Sequence, residues 1–531
     1  MSVGLAPISD HGTDSDSSLA DIRGMPYGDR RLRRYVTAPQ IPTARPARST
    51  VGLRSERGPI LGSVMLSIAL VAIDSTILAT AVPAVVADLG GFTQFPWLFS
   101  AYLLAQAVTT PVYGKVADVV GRKPLMLFGV LVFVGGSVLS ALAWSMTALI
   151  AFRAVQGIGA GAIMPAGTTI MGDIYSLAER AVAQGYIASV WAVSAVVGPT
   201  LGGLFVDQLS WRWIFWVNVP LGGLACWMLA RSFHEEPVER TRAPIDWWGA
   251  LFLALSAGLL LLGLLEGGIR WAWDSPASLV IFTGAAVLAI AAAFVETRAA
   301  DPVLPPWIFQ RRVLNAAMVG ALVVGVVMMG VTSYVPLYAQ RVLGTGAVVA
   351  GLALAALTIG WPIAATTAGR IYLRWGFRTT QLLGAGFGVL GCAVLLLVGP
   401  GSSVWLVAAG CLVLGLGLGY VASPGIIAAQ TAVAWQQRGV ATGANLFARS
   451  IGSAVGVAVF GAIANATVVH RLGSSRPEQV ELEHLPVGVL DPALHAVFVA
   501  VAACALLLVA AGLLMPSRVA EATESGVATG E

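Results

Sequence analysis

Residues 60–84 read ILGSVMLSIALVAIDSTILATAVPA, with Asp74 the one ionisable side chain in the run. As a helix rising 1.5 Å per residue, such a run crosses the ~30 Å hydrocarbon core of a bilayer. The same kind of run recurs along all 531 residues. Apolar residues make up 57% and charged residues 11%, with a mean hydropathy of +0.81. An ordinary soluble domain carries roughly 25% charged residues. A soluble protein of this size would therefore lack the charge to cover its surface. The composition implies an all-α integral membrane protein.

Fourteen transmembrane helices are expected, at 60–84, 94–113, 124–143, 147–172, 183–206, 212–231, 247–265, 277–295, 315–339, 347–369, 380–399, 404–428, 441–466 and 493–515. Residues 1–58 are polar and rich in Ser, Asp, Arg and Pro; they read as a disordered Arg-rich tail. The first apolar run begins too far along the chain to be a signal peptide. Domains are expected at 59–235 (helices 1–6), 236–305 (a linker with helices 7 and 8) and 306–516 (helices 9–14), with a second tail at 517–531.

The basic residues orient this plan. With the N-terminus inside, 24 of the 31 Lys/Arg fall on the cytoplasmic side. Five fall in outer loops (Arg212, Arg270, Arg341, Arg471, Arg476), and Arg153 and Arg449 lie within helices. This positive-inside asymmetry puts both termini in the cytoplasm of a multi-pass plasma-membrane protein. The four cysteines all lie in apolar runs, which rules out a disulfide scaffold.

The chain repeats itself. Gly114-Lys115-Val116-Ala117-Asp118-Val119-Val120-Gly121-Arg122-Lys123 follows helix 2, and Gly369-Arg370-Ile371-Tyr372-Leu373-Arg374-Trp375-Gly376-Phe377-Arg378 follows helix 10. Helix 4 carries Gly157, Gly159, Gly161 and Pro165; helix 12 carries Gly415, Gly417, Gly419 and Pro424. Two six-helix bundles related by pseudo-symmetry, with a two-helix insertion between them, follow from this pattern. Paired halves of this kind place a substrate site at their interface. Small-xxx-small pairs such as Gly198/Gly202 and Gly452/Gly456 suit close helix packing.

Gly386-Phe387-Gly388-Val389-Leu390-Gly391 matches G-x-G-x-x-G but has no preceding strand, so a dinucleotide site is rejected. No G-x-x-x-x-G-K-[ST] and no metal-spaced His/Cys/carboxylate cluster occurs. The sequence therefore suggests no nucleotide, nucleic-acid, metal or cofactor requirement. An enzyme is disfavoured because no nucleophile–base set lies at membrane depth.

An ionisable residue in a membrane helix is a functional candidate because its desolvation is expensive. Asp74 lies about 14 residues into helix 1, ~9 Å from the outer face, and Arg153 about seven residues into helix 4, ~10 Å from that face. Matched depth predicts that the two face one cavity. Burial favours a neutral carboxyl and a nearby arginine a charged one, so such a group can take a proton on one side and release it on the other. A bound lipophilic cation would favour the charged form and eject the proton. The alternative is a structural pair fixing helix 1 against helix 4. Arg449 lies near mid-membrane, with no acid in the second bundle to pair with it; it either lines the cavity or bonds backbone carbonyls. Tyr102 and Gln106, Trp191 and Ser194, and Asn445 and Arg449 share helix faces. With Met329, Tyr334 and Trp361 they are candidate cavity residues, each with core packing as its alternative.

These features resemble the major facilitator superfamily, most closely its 14-helix drug:proton antiporter branch, over about residues 60–515. Gly114 to Lys123 is similar to its helix 2–3 loop motif, Arg153-Ala154-Val155-Gln156-Gly157-Ile158-Gly159 to its helix 4 motif, and Gly198-Pro199-Thr200-Leu201-Gly202-Gly203 to its helix 5 antiporter motif. Asp74-Ser75-Thr76-Ile77 with Ala81-Val82-Pro83, Trp211 to Pro220, and Pro336-Leu337-Tyr338-Ala339-Gln340 resemble further marks of the branch. The resemblance implies a coupling carboxylate at Asp74 partnered by Arg153. It implies a gating loop at Gly114, Lys115, Asp118, Gly121, Arg122 and Lys123, and an antiporter helix at Gly198, Pro199, Gly202 and Gly203. Many drug antiporters carry further membrane acids; here Asp74 stands alone. The implied function is proton-coupled export of lipophilic, cationic drugs by alternating access, driven by the proton gradient, as a monomer. The alternatives are a dedicated exporter of one endogenous metabolite, such as an antibiotic or siderophore, and a non-transporting membrane sensor.

Overall fold

The computed structural model describes residues 51–90, 97–235, 246–267, 270–299, 302–472 and 486–519. Most of the expected N-terminal tail and most of the second tail lie outside these residues.

The first bundle is built from α1 (Gly58–Leu89), α2 (Trp97–Val120), α3 (Arg122–Ala141), α4 (Met146–Ile174), α5 (Leu177–Gln208), the short α6 (Trp213–Trp216) and α7 (Asn218–Ser232). The inserted pair is α8 (Trp247–Glu266) and α9 (Pro276–Glu296). The second bundle holds the short α10 (Trp307–Gln310), α11 (Arg312–Arg341), α12 (Ala347–Leu396), α13 (Val404–Thr431), α14 (Arg438–Leu472) and α15 (Val487–Leu514). Among the described residues twelve helices have the length and hydropathy to cross a membrane. One of them, α12, runs for 50 residues and breaks at Gly376 (φ 87, ψ 165), which makes it two spans. The 24-residue α2 supplies the remaining one of fourteen; Gln106, Thr109, Thr110, Lys115 and Asp118 lower its hydropathy.

Local chemistry sets the helix ends. Ser145 Oγ caps α4 by accepting Ala148 N–H at 3.2 Å, and Asp246 Oδ1 caps α8 by accepting Gly249 N–H at 2.9 Å. The Glu179 carboxylate reaches back to Ser176 N–H at 3.0 Å at the start of α5. Large apolar side chains that water would disfavour are outward-facing: Val280 is 71% and Ile290 70% exposed. They belong against lipid, and the protein is a multi-pass membrane protein.

Four expectations change. The helix 2–3 connection is not a ten-residue loop, because α2 continues to Val120 and only Gly121, at φ 115, separates it from α3. Its repeat-mate Gly376 performs the same reversal within α12. Both positions need the left-handed region that glycine enters without steric cost. Second, α1 spans 32 residues, so Asp74 sits at the middle of its helix and not near one end. Third, the tails are ordered where they join the bundles: Val51 is buried, and Ser517 O accepts Phe377 N–H at 3.0 Å. Fourth, Asp491, expected in an outer loop, lies in the first turns of α15.

An apolar core around Ile68, Met126, Phe133 and Ile163 of the first bundle continues to Leu314, Ala364 and Ile427 of the second, and a separate core around Val327, Leu414, Phe460 and Leu494 lies within the second bundle. Two seams join the bundles. In one, α2 meets α14 so closely that a Cβ added to Gly114 would lie 2.6 Å from Gly439 O. In the other, α5 meets α12, and a Cβ on Gly369 would lie 2.7 Å from that of Ala181. Gly114 and Gly369 are matching positions of the repeat, so the two seams are pseudo-symmetric. The inserted α8 covers the first seam, packing Leu261 against Ala107 of α2 and Ala454 of α14.

Candidate functional site

Asp74 lies at the hub of a buried polar core. Arg153 Nη1 donates to Asp74 Oδ2. Gln156 Nε2 donates to Asp74 Oδ1 at 3.1 Å, and Asn218 Nδ2 to the same oxygen at 3.2 Å. Gln156 Oε1 accepts a second bond from Arg153 Nη1 at 2.8 Å, and Arg153 Nε donates to Leu98 O at 3.2 Å. Ser137 Oγ accepts from Gln156 Nε2 at 2.6 Å and from Asn218 Nδ2 at 3.2 Å. The Arg153 guanidinium sits 4.3 Å from the Tyr102 ring centroid. Five helices (α1, α2, α3, α4 and α7) thus contribute to one charge pair.

The helices allow this because they are small where they cross. A Cβ at Gly157 would lie 2.3 Å from Tyr102 O, and one at Gly136 2.7 Å from Gln156 N. At Gly198 it would lie 2.0 Å from Thr76 Oγ1, whose hydroxyl donates to Ser194 O at 3.0 Å. Gly202 is also buried, whereas Gly203 has open space around its Cβ position. Pro199, within α5, lacks the N–H that would bond one turn back. Asp74 and Arg153 are each 1% exposed in side chain. They share a packed polar core here, not an open cavity.

A second network ties the bundles together on the face that carries the start of α1 and the end of α15. Asp118 at the end of α2 accepts Gly439 N–H at 2.9 Å and Val440 N–H at 2.8 Å. These are first-turn donors of α14, the site where an anion is best placed. Arg122 Nη2 donates to Asp118 Oδ1 at 2.9 Å and to Trp435 O at 2.7 Å, and its guanidinium lies 3.7 Å from the Trp435 ring centroid. Asp173 joins Arg122 Nε at 3.2 Å to Arg438 Nη1 at 2.9 Å. Arg180 Nη1 donates to Thr431 Oγ1 at 3.1 Å, and the Tyr372 hydroxyl to Leu177 O at 2.6 Å. Lys115 is buried in α2, and Lys123 Nζ caps Ala230 O at 2.8 Å. Gly114 and Gly121 supply the close approach and the turn described above.

At the opposite face, Asp88 accepts Arg212 Nη1 at 2.7 Å and Trp211 Nε1 at 3.0 Å. Those two bonds, Arg212 first, hold its carboxyl below the usual range. The Tyr338 hydroxyl donates to Asp491 Oδ1 at 2.8 Å, and His495 Nδ1 lies 3.2 Å from that oxygen.

The remaining cavity candidates are not gathered into one polar site. Tyr102 is packed under Arg153, and Trp191 rests on the first core. Tyr334 and Trp361 pack on the second, and Met329 Sδ lies 3.6 Å from the Thr332 hydroxyl of its own helix. Gln106 is half-buried on α2, its carbonyl accepting Thr110 Oγ1 at 2.7 Å. Asn445 Nδ2 donates to Ala317 O at 3.0 Å, joining α14 to α11. Arg449 has no hydrogen-bond, ion-pair or ring partner among the described residues. Ser137, Asn218, Gln156 and Asp173 were not singled out from the sequence. Gln156 could have been, since it lies three residues after Arg153 on the same helical face.

Comparison with known proteins agrees with this arrangement. The Major Facilitator Superfamily model matches residues 64–457. The chain is 34% identical to Multidrug resistance protein 3 of Bacillus subtilis (strain 168), covering 80% of this chain and 83% of the relative. It is 31% identical to Multidrug transporter protein MdtP of the same organism, over 79% and 77%. It is 32% identical to Efflux pump dotC of Dothistroma septosporum (strain NZE10 / CBS 128990), over 75% and 70%. The crystal structure of the human organic anion transporter MFSD10 (TETRAN) superposes with a TM-score of 0.63 at 16% identity, covering 86% of this chain and 99% of that one; this is a likeness of fold. With two glycine-packed bundles, a buried Asp–Arg core and relatives named for multidrug efflux, the chain belongs to the major facilitator superfamily.

Proposed function

We propose that the protein is a proton-driven exporter of lipophilic compounds, cationic ones among them, working by alternating access in the cell membrane with both termini cytoplasmic. The observation that carries this reading is the Asp74 hub. A carboxylate is held at mid-helix by two neutral amides and one arginine, so its charge is balanced by a partner that can rearrange. Asn218 Oδ1 is buried without a hydrogen-bond partner beside it. A protonated Asp74 could donate to that oxygen once the amide turns over, which would release Arg153. Protonation thus converts one satisfied arrangement of α1, α4 and α7 into another.

The lock at the tail face supports the other half of the reading. Asp118, Arg122, Asp173 and Arg438 hold that side shut, and opening it exchanges access from one face to the other. The α14 amides are ready donors and Trp435 a ready ring, so the lock can re-form in each cycle. The Bacillus and Dothistroma relatives named for multidrug resistance and efflux favour drugs or toxic compounds as cargo.

The test is uptake of a fluorescent dye into inverted membrane vesicles under an imposed proton gradient. Asp74→Asn, which keeps the hydrogen-bonding shape but not the titration, is expected to abolish gradient-driven uptake while inserting at normal levels. Unchanged uptake in that variant removes the coupling assignment.

A further inference from the structure

Arg449 is the deep charge that the Asp74 core does not use. It lies eleven residues beyond the start of α14 at Arg438, about 16 Å along the helix. Contacts assign the faces of α14. Gly439 and Gly443 lie on α2, while Gly452 and Gly456 lie on α11, where a Cβ would meet Leu322 O and Val326 O. Ile451 and Ala454 look toward α8. The sector opposite α8 carries Thr442, whose hydroxyl accepts Gln430 Nε2 of α13 at 2.9 Å; the same amide donates to Thr168 O of α4. Thr442 and Arg449 are seven residues apart and share that face. Arg449 therefore lies on the side of α14 away from α8, between the Thr442 face and the α11 face, where a Cβ on Gly325 would meet its carbonyl, about three turns deeper than Arg438 of the lock.

Charge accounting isolates it. Asp74 and Arg153 neutralise each other. Asp118 and Asp173 are engaged in the lock, and Asp491 by Tyr338 and His495. Arg449 is half-buried and has no partner of any kind among the described residues. An uncompensated cation at this depth is unfavourable, and a ligand that brings the opposite charge relieves the cost. Guanidinium also binds carboxylate and related anions through two parallel donors.

We propose that Arg449 is an anion-binding subsite of the transport path. The favoured cargo is then a lipophilic compound that carries a carboxylate, sulfonate or phenolate, and is zwitterionic where it also bears a cationic group. The inference rests on the exporter reading and narrows its substrate class.

Two dyes of the rhodamine xanthene class provide the test: rhodamine 6G, whose carboxyl is esterified and which is a cation, and rhodamine B, whose carboxyl is free and which is a zwitterion at neutral pH. Binding to the purified full-length protein in detergent micelles is read by fluorescence anisotropy. The wild-type protein is expected to bind rhodamine B about tenfold more tightly than rhodamine 6G, the scale of one charge-assisted bond. Arg449→Gln is expected to weaken rhodamine B about tenfold and leave rhodamine 6G equal or tighter, and Arg449→Lys to keep part of the preference. Equal affinity of the wild-type protein for the two dyes, preference for rhodamine 6G, absence of binding, or equal loss of both dyes in Arg449→Gln overturns the proposal. Binding in micelles needs no gradient. A failure of the exporter reading would instead appear as absent gradient-driven movement in vesicles while the rhodamine B preference persists.

Discussion

At the scale of single residues, the chemistry depends on whether each deep polar atom has a partner. Asp74 is stable at its depth because Arg153, Gln156 and Asn218 all donate to it. Gln156 serves three neighbours at once: it donates to Asp74 and Ser137 and accepts from Arg153. Gln156→Leu keeps the volume and removes all three. It is expected to destabilise the first bundle by roughly 1–3 kcal/mol, the cost of leaving buried polar groups unpaired. The loss should appear as a lower thermal midpoint in detergent and reduced dye transport. An unchanged midpoint would show that Arg153 and Asn218 hold Asp74 without Gln156. Asp74, Arg153 and Arg449 were legible in the sequence because charge is rare in apolar runs. Asn218 and Ser137 were not, since a neutral polar residue carries no such contrast and its role depends on which helices converge.

At the scale of elements, fourteen spans are visible as apolar runs, but their connections are not. The stretch from Gly114 to Lys123 is charged enough to resemble a loop, yet it continues the helix because its ion pairs are satisfied against α14 and α4. Only a residue free to adopt positive φ could end it, and Gly121 and Gly376 occupy matching places in the two halves. Replacing either with Ala forces an L side chain into the left-handed region, at a cost of about 1–2 kcal/mol. At Gly376 a Cβ would also lie 2.1 Å from Ser517 O. Gly376→Ala, which combines this clash with the strained φ, is therefore expected to lower the melting temperature, measured by fluorescence-detected size-exclusion chromatography after heating. An unchanged melting temperature would mean that the Ser517 contact is not retained in the membrane.

At the scale of the whole molecule, two bundles meet along two related seams, and the alternating access proposed above requires those seams to part on the tail face. A disulfide across the α5–α12 seam tests this directly. Cysteines introduced at Ala181→Cys and Gly369→Cys, in a background lacking the four native cysteines, lie within bridging reach after a small separation. Oxidation is expected to stop dye transport and reduction to restore it; transport that survives cross-linking would exclude opening at this seam. The inserted α8 lies over the α2–α14 seam and not over this one, so the two related seams differ in what surrounds them. The sequence by itself determined the membrane class, the number of spans, the internal repeat and the three deep charges, because each is a local contrast between apolar and ionisable residues. Only the tertiary structure decided which polar groups share a core, which acids are occupied by the lock, and which face of α14 carries Arg449. Those outcomes depend on distances between helices far apart in the chain, and no local pattern records them.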